Sequence, residues 1–228
     1  MTSGRKAQDS YKKRPVRSFV LRTGRITEGQ RRAFEEQWPV YGIDFSPTPL
    51  NFAEVFGNNS AVTLEIGFGN GTTLAATAAK FPERNFIGIE VHEPGVGRCM
   101  LEADTLNARN LRIICHDAIE VLRDQIPNNS LAVINLFFPD PWHKKKHNKR
   151  RIVQPEFISM LSSKLQSNGI FHVATDWTPY AEHITDVMQQ QSALKTLDDE
   201  LPWRPDTHFE NRGLKLGHPV WEQVYRKS

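Results

Sequence analysis

The sequence predicts an α/β fold: a doubly wound, Rossmann-like, seven-stranded and mostly parallel sheet with an antiparallel C-terminal strand. Apolar segments of strand length alternate with helical segments from Ala61 to Gln190, as in parallel sheets covered by helices on both faces. A glycine loop, Gly67–Gly71, follows the first strand segment, and acidic residues lie at the ends of the next three. Ligands in such folds bind at the carboxyl ends of the strands, so these residues also predict where the site lies.

The elements are predicted in chain order. Thr27 is expected to cap a helix from Glu28 to Trp38, with Ala33 facing inward. The segment Leu131–Phe138 is almost wholly apolar, which is typical of a strand buried on both faces. The predicted strands are Ala61–Ile66, Asn85–Val91, Leu111–Cys115, Leu131–Phe138, Gly169–Thr175, Leu194–Leu197 and Pro219–Lys227. The later helices are Thr72–Lys80, Pro94–Asn107, Ala118–Gln125, Pro155–Leu165, Pro179–Gln190 and a short one from Thr207 to Leu216.

Composition indicates a single soluble domain that meets a polyanion. Hydrophobic residues make up 39% and charged residues 24% of the chain, both ordinary values. The net charge of +3 is concentrated in the N-terminal region and in Lys144–Arg151, as expected for a nucleic-acid or anionic-surface partner. We predict a flexible basic tail over residues 1–17 and one domain over 18–228. Without a membrane span or signal peptide, and with two cysteines read as reduced, the protein is expected in the cytoplasm.

Acids and glycines meet at the predicted carboxyl edge of the sheet. Glycine lets the backbone approach a ligand closely, and Glu90 follows the loop by about 20 residues, the spacing at which an acid binds ribose hydroxyls. Glu65 precedes the first glycine, where it would oppose a pyrophosphate but suits the amino group and sulfonium of S-adenosylmethionine. That cofactor is therefore predicted. The alternative is a salt bridge for Glu65 and a helix-capping role for Asp117.

A cationic stretch follows the fourth predicted strand. Asp140 stands between two prolines, and six Lys or Arg residues follow before the next acid, Glu156. This order suggests chemistry beside a polyanion, although a solvated basic loop is the plainer reading. Trp142 either packs at the strand end or stacks on a base. His143 and His147 have the spacing of zinc ligands but no convincing third ligand, so no metal site is predicted.

Four segments resemble the bacterial tRNA (guanine-N7-)-methyltransferase family: LEIGFGNG from Leu64, GIEVHEPGVGR from Gly88, FFPDPWHKKKHNKRR from Phe137, and THFENRG with LGHPVW from Thr207 onward. The resemblance covers Arg17 to the C-terminus. It implies methyl transfer from S-adenosylmethionine to nitrogen-7 of a guanine in the variable loop of tRNA. It also implies Asp140 as the catalytic residue. The implied cofactor-binding residues are Glu65, Gly67, Gly69, Glu90, Asp117 and Asp140.

The resemblance also implies a substrate- and RNA-binding set. Its members are Lys144, Lys146, His147, Asn148, Lys149, Arg150, Arg151, Asp176, Thr207, His208, Phe209 and Glu210. Asp176 could equally cap the following helix, and Thr207 with Glu210 has the spacing of a capping box. The family commonly has lysine where this chain has His208, which is mostly neutral at pH 7.

The chemistry of the reaction agrees with these residues. Nitrogen-7 of guanine carries a free lone pair and no proton, so its methylation needs no general base. Alternatives from the sequence are a methyltransferase for another RNA position or a small molecule, and a non-catalytic RNA-binding protein. A small-molecule enzyme would not need the cationic stretch, and a binding protein would not need acids at four successive strand ends. The sequence leaves the choice between monomer and homodimer open.

Overall fold

The predicted fold class is confirmed. A computed structural model describes residues 17–19, 25–197, 204, 210 and 219–228. Its strands are β1 (Val62–Ile66), β2 (Asn85–Ile89), β3 (Leu111–Ile114), β4 (Leu131–Phe137), β5 (Leu165–Thr175), β6 (Leu194–Leu197) and β7 (Trp221–Lys227). They form one sheet in the order β3-β2-β1-β4-β5-β7-β6. All neighbouring strands are parallel except β7, which runs antiparallel to both β5 and β6.

Helices cover both faces of this sheet. They are α1 (Glu28–Glu36), α2 (Trp38–Tyr41), α3 (Phe52–Phe56), α4 (Thr72–Lys80), α5 (Glu93–Thr105), α6 (Ala118–Glu120), α7 (Pro155–Lys164) and α8 (Thr178–Gln189). One apolar cluster joins α7 and α8 to one face of β1, β4 and β5. A second joins α1, α4 and α5 to the other face of the sheet, at β2 and β3. None of the described helices is long and apolar enough to cross a membrane.

Most differences from the predicted elements lie at their ends. Thr27 caps α1 in a capping box with Gln30 and Ala33 is buried, both as predicted. The helix ends at Glu36 rather than Trp38, because Pro39 lies in the first turn of the separate helix α2. Helix α3, capped by Asn51, is not among the predicted elements. The predicted helix Ala118–Gln125 is α6 followed by a π-helical turn over Val121–Gln125.

The largest difference concerns β5. The sequence predicts a turn at 167–169, but the strand already begins at Leu165. The pairing of β4 with β5 shifts register between Leu131 and Val133, and Asn168 has a positive φ of 61°. A β-bulge therefore absorbs the turn-like residues inside the strand. The predicted tail over residues 1–17, except Arg17, and the helix from Thr207 to Leu216, except Glu210, lie outside the described residues.

The strand order places the site. From β1 the chain proceeds outward through β2 and β3, and β4 then starts the other half on the opposite side of β1. This reversal between β1 and β4 is the switch point at which ligands bind in doubly wound sheets. The loop after β1 and the turn after β4 therefore leave the sheet side by side.

Candidate functional site

The glycine loop after β1 has a left-handed backbone at three positions. Gly67, Gly69 and Gly71 have φ of 72°, 62° and 67°, a region that only glycine enters without steric cost. A Cβ at Gly71 would lie 2.3 Å from the Cβ and Sγ of Cys99 in α5, so this glycine also allows close packing. A Cβ at Gly67 would meet no atom within 4 Å. Gly67 therefore presents bare backbone to open space.

Two adjoining cavities occupy that space. The first, of about 370 Å³, extends from Gly67 past Glu90 and His116 to Asp140. The second, of about 390 Å³, is lined by Glu65, Asn70 and Thr73 among others. Both are bounded by Gly67, Gly69, His92, Phe137 and Phe138. Their volumes are typical of small-molecule and cofactor sites, and a Cβ at Gly67 would reduce the space.

Glu90 joins the end of β2 to the glycine loop. One carboxylate oxygen accepts a hydrogen bond from the Gly69 N–H at 2.9 Å. The other accepts from the N–H groups of Val91 and His92 at 2.7 and 3.0 Å. An ionised carboxylate has about four lone-pair sites, so Glu90 retains capacity to accept from a ligand in the first cavity.

Glu65 is a buried carboxyl group at the wall of the second cavity. Burial raises the pKa of Glu65 to about 7, and the positive charge of Arg204 only partly opposes this rise. The group therefore holds its proton to a higher pH than an exposed glutamate does. A cationic ligand group beside Glu65 would favour its charged form.

Asp117 lies slightly away from the first cavity. Its neighbours His116 and Ala118 line the cavity, whereas one Asp117 oxygen accepts from the Ile119 N–H at 2.9 Å and caps α6. The capping alternative therefore describes its contact in this structure. His116 is held by Glu120 at 2.6 Å and lies parallel to the ring of Phe45 at 3.9 Å.

The comparisons with known proteins agree on one family. A family model described as "Putative methyltransferase" matches residues 59–223. The tRNA (guanine-N(7)-)-methyltransferase of Shewanella amazonensis is 54% identical over 96% of this chain and 95% of its own length. The enzymes of the same name from Aeromonas hydrophila and Salmonella typhimurium are each 52% identical, over 96% and 94% of this chain and 95% and 92% of their own lengths. The chain belongs to the tRNA (guanine-N7-)-methyltransferase family.

Solved structures support the fold of this family member at a much lower level of identity. The 16S rRNA methyltransferase KamB has a TM-score of 0.56 at 15% identity, over 78% of this chain and 92% of its own. A precorrin-6y C5,15-methyltransferase from Geobacter metallireducens has a TM-score of 0.53 at 13% identity, over 75% of this chain and 82% of its own. At such identities the likeness concerns the methyltransferase fold alone.

The turn after β4 carries Asp140, the catalytic residue implied by the family. Phe138 and Trp142, on either side of Pro139-Asp140-Pro141, have positive φ of 50° and 48°. Bulky residues rarely adopt this region, and strain of this kind gathers at functional sites. The Phe138 N–H donates to the Ala174 carbonyl in β5 at 2.8 Å. Asp140 itself is exposed and lines the first cavity.

The cationic stretch forms a 3₁₀ helix, Lys145–Arg150, instead of the predicted loop. Lys144, Lys146 and Lys149 are exposed. The Arg150 guanidinium lies 4.3 Å from the centre of the Trp142 ring, whose N–H donates to the Ser18 carbonyl at 3.0 Å. Trp142 therefore packs within the protein, and one of its faces is covered by a cation.

The two neighbouring polar residues of this 3₁₀ helix, His147 and Asn148, are half-buried. Burial and the charges of four neighbouring cations lower the pKa of His147, so it is neutral at pH 7. His143 packs edge-on against Trp177 at 4.4 Å. Among the residues that the structure describes, no group of three or more His, Cys, Asp or Glu side chains is placed to hold a metal ion.

Arg151 differs from the other cations of the stretch. Only 5% of it is exposed, and it donates to the carbonyls of Pro141 and Pro179 at 3.0 and 3.1 Å. In this position Arg151 does not present its charge to an RNA phosphate, contrary to the role implied by the resemblance. The sequence pattern could not separate it from Arg150, because burial is set by the fold.

The residues expected to contact substrate from β5 and the C-terminal region are only partly described. Asp176 follows β5 and is half-buried. Helix α8 has Trp177 at its N-cap, so Asp176 does not occupy the capping position considered from the sequence. Glu210 is buried. Thr207, His208 and Phe209 lie outside the described residues, and so does their predicted capping box.

An ion-pair network that the sequence does not predict holds Glu210. Arg204 donates to both carboxylates of Glu210 and Glu222, and Glu222 contacts His172 of β5 at 2.6 Å. Burial would raise the pKa of Glu222, but hydrogen bonds from His172 and Arg204 outweigh it and lower the pKa to about 2. The Arg204 guanidinium also lies 5.2 Å from the centre of the Phe137 ring. No periodic signal marks these residues, because they meet only when β7 pairs with β5.

Proposed function

We propose that this protein transfers the methyl group of S-adenosylmethionine to nitrogen-7 of a guanine in the variable loop of tRNA. The observation that carries the proposal is the meeting, at one sheet edge, of the glycine-loop cavities and the Asp140 turn with its exposed lysines. Relatives at 52–54% identity over nearly the whole chain carry that activity in their names. The cytoplasm, where tRNA is modified in bacteria, is the proposed location.

The two cavities fit the cofactor. S-Adenosylmethionine supplies a methyl group on a sulfonium, together with a cationic amino group and a nucleoside. Glu90, at the first cavity, would accept from the ribose hydroxyls, and Glu65, at the wall of the second, would hold the cationic end. Gly67 and Gly69 leave room for a close approach of the ligand to the backbone, which a side chain would block. Asp117, one of whose oxygens caps α6, would contribute its remaining capacity to accept hydrogen bonds to the cofactor site.

Asp140 acts on the guanine. Its carboxylate accepts from the N–H edge of the base and so orients nitrogen-7 toward the methyl group. No residue needs to remove a proton, because nitrogen-7 carries none. The base gains positive charge as the methyl group arrives, and a fixed carboxylate favours that charge. Orientation supplies most of the remaining rate gain.

The exposed lysines of the cationic stretch hold the RNA backbone. Lys144, Lys146 and Lys149 are exposed in the segment that follows Asp140. His147 and Arg150 are positioned by packing against Trp142, and Asn148 lies half-buried between them in the chain. Asp176 and Glu210 border the base from β5 and the C-terminal region. We leave Arg151 out of this RNA-binding set because its guanidinium is buried.

Replacing Lys146 and Lys149 with Gln should weaken tRNA binding and flatten its salt dependence. Each phosphate contact that the variant no longer makes reduces the slope of log K against log salt by roughly 0.7–0.9. Lys80→Gln, an exposed lysine at the end of α4, is the matched control and should keep the wild-type slope. Filter binding across a salt series measures both. A wild-type slope in the double variant would show that the two lysines belong to a solvated surface.

The activity itself is tested by methyl transfer from labelled cofactor to bulk tRNA, followed by nucleoside analysis. The expected product is 7-methylguanosine in tRNA, with no transfer to small-molecule acceptors. A different methylated nucleoside would indicate another RNA position. Cofactor and tRNA binding without any transfer would indicate a non-catalytic RNA-binding protein.

A further inference from the structure

Arg151 is a buried cation whose hydrogen bonds go to backbone carbonyls. In the described part of the chain no carboxylate lies within ion-pair distance of its guanidinium. Burial lowers the pKa of Arg151. Taking a charge out of water without a counter-ion is costly, and an apolar side chain of similar size is often as stable. Stability alone therefore does not account for a charged residue at this position.

The contacts of Arg151 join two loops of the site. Its Nε donates to the carbonyl of Pro141, directly after Asp140, and its Nη1 donates to the carbonyl of Pro179, three residues after Asp176. Both acceptors belong to prolines, whose backbone φ is fixed by the ring. The guanidinium is planar and its donors form a rigid fork. The distance between the two carbonyls is thus set by one stiff side chain.

The ring of Tyr180 completes the arrangement. It lies 4.8 Å from the Arg151 guanidinium, and its hydroxyl accepts from the Val153 N–H at 3.3 Å. Burial raises the pKa of Tyr180, and the charge of Asp140 contributes to the rise. The Arg151 guanidinium is therefore enclosed by an aromatic ring as well as by two backbone carbonyls.

The Asp140 turn needs such support at both ends. Its first end is tied to β5 by the Phe138 N–H and the Ala174 carbonyl. Its second end, at Pro141, is tied to α8 through Arg151. Because β5 leads directly into Asp176 and α8, both hydrogen-bond connections join the turn to one continuous segment of the chain. Two positive-φ residues within this turn, Phe138 and Trp142, are strained and persist only where the surroundings hold them.

We propose that Arg151 is a positioning residue that fixes the placement of Asp140 relative to Asp176. The proposal rests on the catalytic role given to Asp140 above. Arg151 acts through the backbone carbonyls of two prolines and contacts neither RNA nor cofactor. A misplacement of about 1 Å in a catalytic group can cost a factor of about 10² in rate, so loss of the fork is expected to reduce turnover and leave binding unchanged.

The test compares Arg151→Lys and Arg151→Met with Lys164→Met. Lys164, the last residue of α7, is a similarly buried cation that donates to a neutral partner, Asn128, at 2.8 Å. Urea unfolding of all three variants checks that each is folded and measures its stability, which the replacement of a buried cation by an apolar side chain need not lower. The Arg151 variants should lose about 10²-fold in single-turnover rate and keep the wild-type cofactor affinity and tRNA salt slope. Lys164→Met should keep its rate.

A second measurement separates this proposal from that for Asp140. Residues that act together show non-additive effects, so Arg151→Lys should cost little further rate in an Asp140→Asn background. If Asp140→Asn alone is within a few-fold of wild type, the catalytic role of Asp140 is wrong. If it is slow but the two losses multiply in full, the positioning role of Arg151 is wrong. A salt slope reduced in Arg151→Lys would instead make Arg151 a phosphate contact, and a rate loss no larger than that of Lys164→Met would make it structural.

Discussion

The glycine loop after β1 and the Asp140 turn after β4 lie side by side and use the same unusual backbone region by different means. The first reaches positive φ with glycine at three positions. The second reaches it with Phe138 and Trp142, two bulky residues. The glycine loop thus holds its shape largely through residue type, with one hydrogen bond from the Gly69 N–H to Glu90. The Asp140 turn depends on contacts from Ser18, Ala174, Arg150 and Arg151.

This difference separates two ways of building a site. A loop whose shape follows from residue type is available before the ligand arrives and tolerates changes in its neighbours. A turn that is held by surrounding contacts can be displaced by changes several residues or elements away. We therefore expect substitutions in the glycine loop to act through stability and cofactor binding, and substitutions around the Asp140 turn to act through rate.

The largest effect is expected within the glycine loop. Gly71→Ala combines a left-handed backbone with a Cβ at 2.3 Å from Cys99, which together should cost about 2–5 kcal/mol of unfolding free energy. Gly67→Ala has the same backbone but open space around its Cβ, so it should cost about 1–2 kcal/mol and weaken the cofactor. Urea unfolding and calorimetric titration measure the pair. Equal losses in stability would contradict the packing role of Gly71.

Asp140→Asn is expected to have the largest effect on rate. The change keeps the shape of the side chain and removes its charge, so turnover should fall by about 10²–10³-fold, the scale for one preorganised electrostatic group. Stability and tRNA affinity should be nearly unchanged, because the residue is exposed and the lysines hold the RNA. Single-turnover methylation at saturating cofactor and tRNA provides the measurement. A rate within a few-fold of wild type would leave Asp140 as a structural acid.

Glu65 should make stability depend on pH. Its pKa is raised by burial from 4.5 to about 7, so the folded chain binds this proton more tightly than the unfolded chain. The free energy of unfolding should therefore fall as pH rises from about 4.5 to about 7, by roughly 3 kcal/mol. Glu65→Gln should flatten this decline, whereas Glu36→Gln, at an exposed position, should leave it in place. Urea unfolding at several pH values tests both.

Cofactor binding should reverse part of this effect. A cationic group beside Glu65 favours the carboxylate, so binding near pH 7 should release a fraction of a proton. Titration calorimetry in buffers of different ionisation enthalpy would detect the release. If the wild-type protein binds the cofactor without releasing a proton, the cationic group of the cofactor does not lie beside Glu65.

Glu90→Gln should have a smaller effect than Gly71→Ala or Asp140→Asn. Glutamine has one acceptor oxygen, whereas Glu90 uses both of its oxygens. The variant therefore cannot accept hydrogen bonds from Gly69, Val91 and His92 together. Loss of a hydrogen bond to a charged group should weaken S-adenosylmethionine by roughly 1.5–3 kcal/mol. The tie to the glycine loop also predicts some loss of stability. Glu83→Gln, at an exposed position, is the control, and wild-type cofactor affinity in Glu90→Gln would remove Glu90 from the site.

The features of the fold that depend on local pattern could be predicted from the sequence. Helix α4 and strand β6 have the predicted bounds. An alanine-rich segment before Pro82 suits a helix, and the alternating pattern LKTL suits a strand. The bulge in β5 could not be predicted, since Ser167–Gly169 resembles a turn until β4 pairs beside it. Helix α3 has a capping residue in Asn51 and a terminating glycine in Gly57. These two local signals do not predict it by themselves, because a helix of five residues is too short to show a periodic pattern of apolar residues.

The site was predictable where residue type alone determines the geometry. The glycines and Glu90 lie together as expected from the switch point between β1 and β4. The sequence does not show that the lysines of the cationic stretch are exposed, that Arg150 lies against Trp142 and that Arg151 is buried, because a charge pattern carries no information on burial. Arg204 and Glu222 are 18 residues apart and come together through strand pairing, which no local signal reports.

The position of β7 has a consequence for the order in which the protein is assembled. This strand follows all the others in the chain, yet it lies inside the sheet between β5 and β6. During synthesis from the N-terminus, β5 and β6 are therefore made before the strand that separates them, and each has an unpaired edge until β7 enters. The same insertion brings Glu222 to His172 and Arg204. The cofactor half of the site can thus form on the nascent chain, whereas the support for Glu210 has to wait for the final strand.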